Sequence, residues 1–261
     1  MSVTTGTVPG RASAPRSALA RLAIVEARLF LRERVGVIWG IGFPLVLLII
    51  FGNIPSFRQP SPDLGGLTYL DAYVPILIAF VMAMLSVNAM PAVLAGYRER
   101  GVLRRLATTP VGPSRVLAAQ LVVNLAVTLT TLIAMLAVAR LAFGVVLPRQ
   151  PGGFVLAAAL AAAALLALGL FLAAVARSGR AANAFGAILF FPMMFFAGLW
   201  LPRAAMPSLL RDISDFTPLG AAVQALQDSA QGHWPPLLYL AVMACYALVF
   251  GVAAARLFRW E

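Results

Sequence analysis

Six apolar stretches without a single charged side chain or histidine dominate this sequence: 35–52, 72–95, 116–139, 154–176, 181–201 and 235–255. A helix needs about 20 such residues to cross the hydrocarbon core of a bilayer. In lipid every backbone amide must bond within its own segment, so runs of this length read as helices. The first is the shortest, and Pro44 inside it predicts a kink. Only Arg-Ser-Gly-Arg (177–180) separates the fourth from the fifth, which predicts a tight turn. With 62% hydrophobic and 11% charged residues in 261, a soluble domain could not hide this much apolar surface. The expected fold is therefore all-α, a polytopic membrane protein with six transmembrane helices. Residues 1–15, rich in Gly, Pro, Ser and Thr, read as a disordered tail, and 16–261 as one membrane domain without internal repeats. No short apolar core with a small-residue cleavage site follows the tail, so no removable signal peptide is expected.

Orientation follows from the basic residues, all 20 of which are arginine. Fifteen fall in the N-terminal segment, the loop between the second and third runs, the 177–180 turn and the C-terminus. Five fall in the other connections: Arg58, Arg140, Arg149, Arg203 and Arg211. Positive charge marks the cytoplasmic side, so both termini are expected there. The formal charge of +11 is thus a topology signal and not a nucleic-acid footprint. Cys245 is the single cysteine, which rules out an intrachain disulfide and a cysteine metal cluster.

Two further segments are patterned. Residues 17–36 read as an amphipathic helix, with Arg21, Arg28 and Arg32 on one stripe and Leu22, Val25 and Leu29 apolar. Such a helix lies in the inner interface, either as a plain anchor or as a contact for a partner. Residues 201–236 are too polar to span. Met206, Leu209, Leu210 and Ile213 recur at helical spacing, and Pro218 restarts a second helix through Val223 and Leu226. These are expected as two short helices on or dipping into the outer interface, serving as a structural cap or as a gate.

Intramembrane chemistry is sparse. A proton- or ion-coupled transporter needs titratable groups within the bilayer, and the six runs hold none. They contain no Ser/His or paired-Asp arrangement to activate a nucleophile and no GxxxxGK[ST] loop for a nucleotide. If the protein does work, the energy comes from elsewhere. The remaining polar groups include Ser86, Asn88, Gln120, Asn124, Thr128, Thr130, Thr131 and Asn183. Interhelical hydrogen bonding is their ordinary use; substrate contact is the alternative, foremost for Asn88 and Asn124. The stripe through Phe190, Phe191, Phe195 and Phe196 is either packing or an apolar substrate surface.

The densest charge lies at 96–115, GYRERGVLRRLATTPVGPSR. Taken as a helix, 98–107 places Glu99, Val102, Leu103 and Leu106 on one arc, flanked by Arg98 and Arg105 on one side and Arg100 and Arg104 on the other. Pro110, Gly112 and Pro113 then force a stop. Anchoring explains the arginines. An apolar ridge carrying one acid suits a knob that enters a groove on a partner.

This stretch resembles the cytoplasmic loop of ABC-2 type transporter permeases, the membrane subunits of ATP-binding cassette exporters such as those for daunorubicin. The resemblance rests on Glu99, Arg100, Gly101, Leu103, Leu106, Thr109 and Pro110, with Val102 where the family most often has Thr. A second block, 190–227, is similar to the family's fifth span and outer helices through Gly198, Pro202, Met206, Pro207, Pro218 and Leu226. The resemblance covers about 16–258. It implies a non-catalytic transport subunit in a bacterial cytoplasmic (inner) membrane, paired with a second copy or close paralogue. Two separate ATPase subunits would bind ATP and Mg, with no cofactor on this chain. It further implies an ATPase-coupling helix built from Tyr97, Arg98, Glu99, Arg100, Gly101, Leu103, Arg104, Arg105, Leu106, Thr109 and Pro110. Glu99 and Arg100 would be its polar contacts, Leu103 and Leu106 its inserted ridge, and Pro110 its rigid end. The implied substrate is a drug-like or lipid amphiphile, with polysaccharide or teichoic-acid precursors as the alternative. An ATPase-independent channel is the rival outside the family.

Overall fold

A computed structural model describes residues 15–32, 37–61, 66–107 and 113–257. The tail up to residue 14, Thr109, Pro110 and the last four residues lie outside the described residues, as does the side chain of Leu106. The described chain is helical, with one isolated bridge between Pro60 and Thr68. Its elements are α1 (Pro15–Arg32), α2 (Phe43–Asn53), α3 (Tyr69–Glu99), α4 (Val102–Ala107), α5 (Pro113–Phe143), α6 (Pro151–Val175), α7 (Gly179–Phe196), α8 (Ser208–Asp215), α9 (Pro218–Gln231) and α10 (Leu237–Leu257).

Five helices are long and apolar enough to cross a bilayer: α3, α5, α6, α7 and α10. The first expected span appears as a shorter helical stretch, Gly40–Asn53. The fifth ends at Phe196 instead of 201, because Gly198 adopts φ +88° and turns the chain away. The described chain is thus an all-α polytopic membrane protein with about five apolar spans.

Two π-turns interrupt the helices, at Ile38–Gly42 and Met84–Ala89. Each ends two residues before a proline, Pro44 and Pro91. A proline ring presses on the carbonyl four residues back and supplies no amide to it, and a wider turn accommodates both effects. The second π-turn is also a place where neighbouring helices approach closely. A Cβ on Gly169 of α6 would collide with the Ser86 carbonyl oxygen, and one on Gly186 of α7 would lie 2.7 Å from that of Val87. Small residues permit this backbone approach, the usual device of membrane helix packing. Gly40 of the first π-turn meets Leu85 of the second, so the two irregularities pack on each other.

The core is built around α3 and α6, with α7, α9 and α10 packed against them. Here the expectation for 201–236 needs correction. Only α8 is a surface helix, with Leu209 68% and Ile213 42% exposed, while Met206 is buried. Helix α9 is a core element in which Leu219, Ala221, Ala222, Ala225 and Leu226 are fully buried. Its run of small residues lets α6 and α10 close over it. Thr217 caps its first turn and Pro218 opens it.

Candidate functional site

The arginine-rich loop is not one helix over 98–107. Helix α3 runs on to Glu99 and breaks at Arg100–Gly101, where Gly101 takes φ +69°. That left-handed conformation is easy only for glycine and separates α3 from the short α4. On α4 the expected ridge is not free: Leu103 is fully buried within the chain itself. Arg104 and Arg105 are exposed, as are Arg100 and Glu99 at the break.

Each side chain just before the break has a defined partner. The Tyr97 hydroxyl donates to the Glu26 carboxylate of α1, at 2.9 Å to Oε2. Arg98 donates to the carbonyls of Ala174 (3.3 Å) and Ala176 at the C-terminal end of α6. The Glu99 Oε2 accepts from the Gly179 amide at 3.0 Å, the first residue of α7. A cation at a helix C-terminus and an anion at an N-terminus both oppose the local helix dipole, each worth about 0.3–1 kcal/mol at exposed positions. Glu99, expected as a polar contact for a partner, thus holds one bond within the chain while remaining exposed. Backbones also meet here: a Cβ on Gly179 would lie 3.3 Å from the Ala92 carbonyl oxygen and 3.6 Å from the Gly96 Cα. Arg100 sits over the Tyr97 ring at 5.7 Å.

Helix α1 docks through an acid. Arg21, Arg28 and Arg32 share one exposed stripe, and Val25 and Leu29, expected among its apolar residues, are exposed too. The face turned to the bundle instead carries Glu26, only 8% exposed. Besides Tyr97, Gln120 of α5 donates to Glu26 through Nε2 at 2.7 Å. Asn124 Nδ2 in turn donates to the Gln120 carbonyl at 2.9 Å. Burial pushes the Glu26 carboxyl above its ordinary range, and the Tyr97 hydrogen bond pulls it partly back. Sequence reading passed over Glu26, although at 100° per residue it lies opposite the arginine stripe. That lone acid was the available signal.

Beside this cluster opens a cavity of about 700 Å³ lined by α1, the second π-turn, α5 and the start of α7. Asn88, Gln120, Asn124 and Asn183 give it amides, Phe30 and Leu85 apolar surface, and Tyr97, Glu99 and Arg100 also line it. Of the four residues expected along a substrate path, it brings Asn88 and Asn124 together. Phe195 and Phe196 lie elsewhere, stacked edge-on near α8, where Ser214 donates to the Phe196 carbonyl. Among the described residues no group of His, Cys, Asp and Glu side chains could hold a metal ion.

No curated protein matches the chain. The model of one protein family, described as ABC-2 type transporter, matches residues 18–230. The match takes in α1, the broken loop and α9, and so includes every partner of the Tyr97–Glu99 segment. With most of its length matched, the multi-pass helical chain belongs to the ABC-2 type transporters, as a non-catalytic membrane permease that works with a cognate ATP-binding cassette ATPase.

Proposed function

We propose that the chain is the permease of an ATP-driven exporter in a bacterial cytoplasmic membrane. It works as a pair of copies, or with a close paralogue, over two ATPase subunits that bind ATP and Mg. Both termini and the 97–110 segment face the cytoplasm. A six-span path is completed by the shorter stretch at Gly40–Asn53. The observation that carries the coupling is the exposed basic face of the loop, Arg100, Arg104 and Arg105, presented beyond the end of α3. The partner's groove receives this face, and α1 braces the same subunit with its arginines toward lipid phosphates. The substrate is a drug-like or lipid amphiphile. A cavity mixing amides with apolar side chains suits a ligand with a polar and a greasy end, and Asn88 and Asn124 are its polar contacts.

The test is co-purification of the chain with its candidate ATPase in detergent, wild type beside Arg104→Glu/Arg105→Glu. A stable wild-type complex that the charge reversal abolishes, with unchanged membrane insertion, is the expected result. Recovery of an equal complex from both would reduce the loop to a basic anchor. Solute flux without nucleotide would make the protein a channel.

A further inference from the structure

Three consecutive residues, Tyr97, Arg98 and Glu99, are each bonded to a different helix. Successive side chains on a helix point about 100° apart, so a tripeptide can address three neighbours only where three elements converge around its tip. Here they do: Tyr97 holds α1 through Glu26, Arg98 holds the C-terminal end of α6, and Glu99 holds the first amide of α7. The α6–α7 turn is thus gripped on both sides, with only Arg177 and Ser178 between the gripped residues. The glycines at 96 and 179 bring the α3 and α7 backbones close enough for the Glu99 carboxylate to reach the Gly179 amide. On the far side of Gly101, Arg104 and Arg105 face outward.

We propose that Tyr97-Arg98-Glu99 is a transmission joint. In it the residues of the loop divide their labour. Arg100, Arg104 and Arg105 receive the ATPase, and Tyr97, Arg98 and Glu99 pass the displacement on to α1 and to the α6–α7 hairpin. Charge-assisted hydrogen bonds to backbone ends are directional, so they turn a helix with the loop where an apolar contact would slide. Tyr97, Arg98 and Glu99 are positioning residues and need not touch the ATPase. The inference rests on the coupling role argued in the preceding subsection.

The experiment uses the full chain with its ATPase in lipid nanodiscs, in a Cys245→Ser background with Leu209→Cys as reporter. Leu209 is exposed and follows α7 in the chain. The thiol-labelling rate is measured with and without ATP plus vanadate. The wild-type joint gives a several-fold nucleotide-dependent change in rate. With Arg98→Ala/Glu99→Ala the ATPase stays bound and hydrolyses ATP, while the rate at the reporter no longer responds. Glu99→Gln, which keeps an acceptor for the Gly179 amide, retains the response. Glu99→Ala alone, at an exposed position, weakens it without threatening the fold. Loss of the ATPase from the folded double variant, or a full response in it, overturns the joint and leaves the permease reading intact. So does a wild-type complex with no response at the reporter. Failure of the wild type to recruit an ATPase overturns both, and that arm is read before any variant.

Discussion

The two ends of the helical bundle are held together by different physics. At the end carrying the broken loop, small apolar clusters such as Ala95, Ala176 and Ala182 are joined by single polar side chains: Glu26 to Tyr97 and Gln120, Arg98 to α6, Glu99 to α7. At the opposite end α9 is wedged between α6, α10 and α3, with Leu219 and Leu226 fully buried. Backbone bonds from Arg149 and Gln150 to Ala230 and Ser229 seal it, and Gln227 reaches the Ala72 carbonyl. Long-range bonds from charged side chains dominate one end, and buried contact area dominates the other. A few directional bonds can be exchanged without repacking anything, whereas a filled core resists deformation. The difference places the more compliant contacts at the end where the proposed ATPase would push.

The contrast can be broken by mutation, beginning with the wedge. Leu226→Ala leaves a cavity in α9 and costs about 2–5 kcal/mol, read as the largest drop in melting temperature in detergent. Arg98→Ala strips a charged donor from the α6 carbonyls and costs about 1.5 kcal/mol, a smaller drop in the same assay. Glu99→Ala removes one exposed cap and costs below about 1 kcal/mol. Equal losses at the two ends would erase the distinction.

The smallest effect sharpens it. Glu26 has a carboxyl raised by burial, so the folded chain holds its proton more tightly than the unfolded chain does. The linked stability is present below the unfolded-state pKa and is lost as pH rises through the raised, folded-state value. Amide exchange in α1 should therefore slow as pH falls through that window, after correction for the intrinsic rate. Tyr97 and Gln120 face this carboxyl, and Arg100 lies over the Tyr97 ring. Glu26→Gln flattens the dependence; a slope of the opposite sign would mean the donors outweigh burial.

The spans were legible because charge-free runs of their length have few other uses. Expected boundaries at 72–95 and 154–176 meet helices at Tyr69–Glu99 and Pro151–Val175. The buried place of α9 was hidden by its composition. Gln224, Gln227 and Asp228 make the segment look interfacial, while the Ala and Gly residues that let helices close over it carry little hydrophobic signal. At the loop, the helical wheel sorted 98–107 as if Gly101 were an ordinary residue, and so assigned Leu103 outward. The partners of Arg98 and Glu99 were beyond reach for another reason. They are backbone atoms nearly eighty residues away, and backbone atoms leave no mark in side-chain patterning.

The π-turn at Met84–Ala89 bears on all of this through angle. Such a turn holds one residue more than an α-helical turn would, and everything after it is rotated accordingly. Relaxing the turn to ordinary helix with every residue kept would swing the 90–99 segment by up to about 100° around its axis. Tyr97, Arg98 and Glu99 would then each face the wrong neighbour, with no change to their identity or to the apolar character of the span. The irregularity in mid-membrane is thus the phase setting of the polar tip, and a one-residue deletion in the regular helix between it and Tyr97 should be far more damaging than one inside the turn.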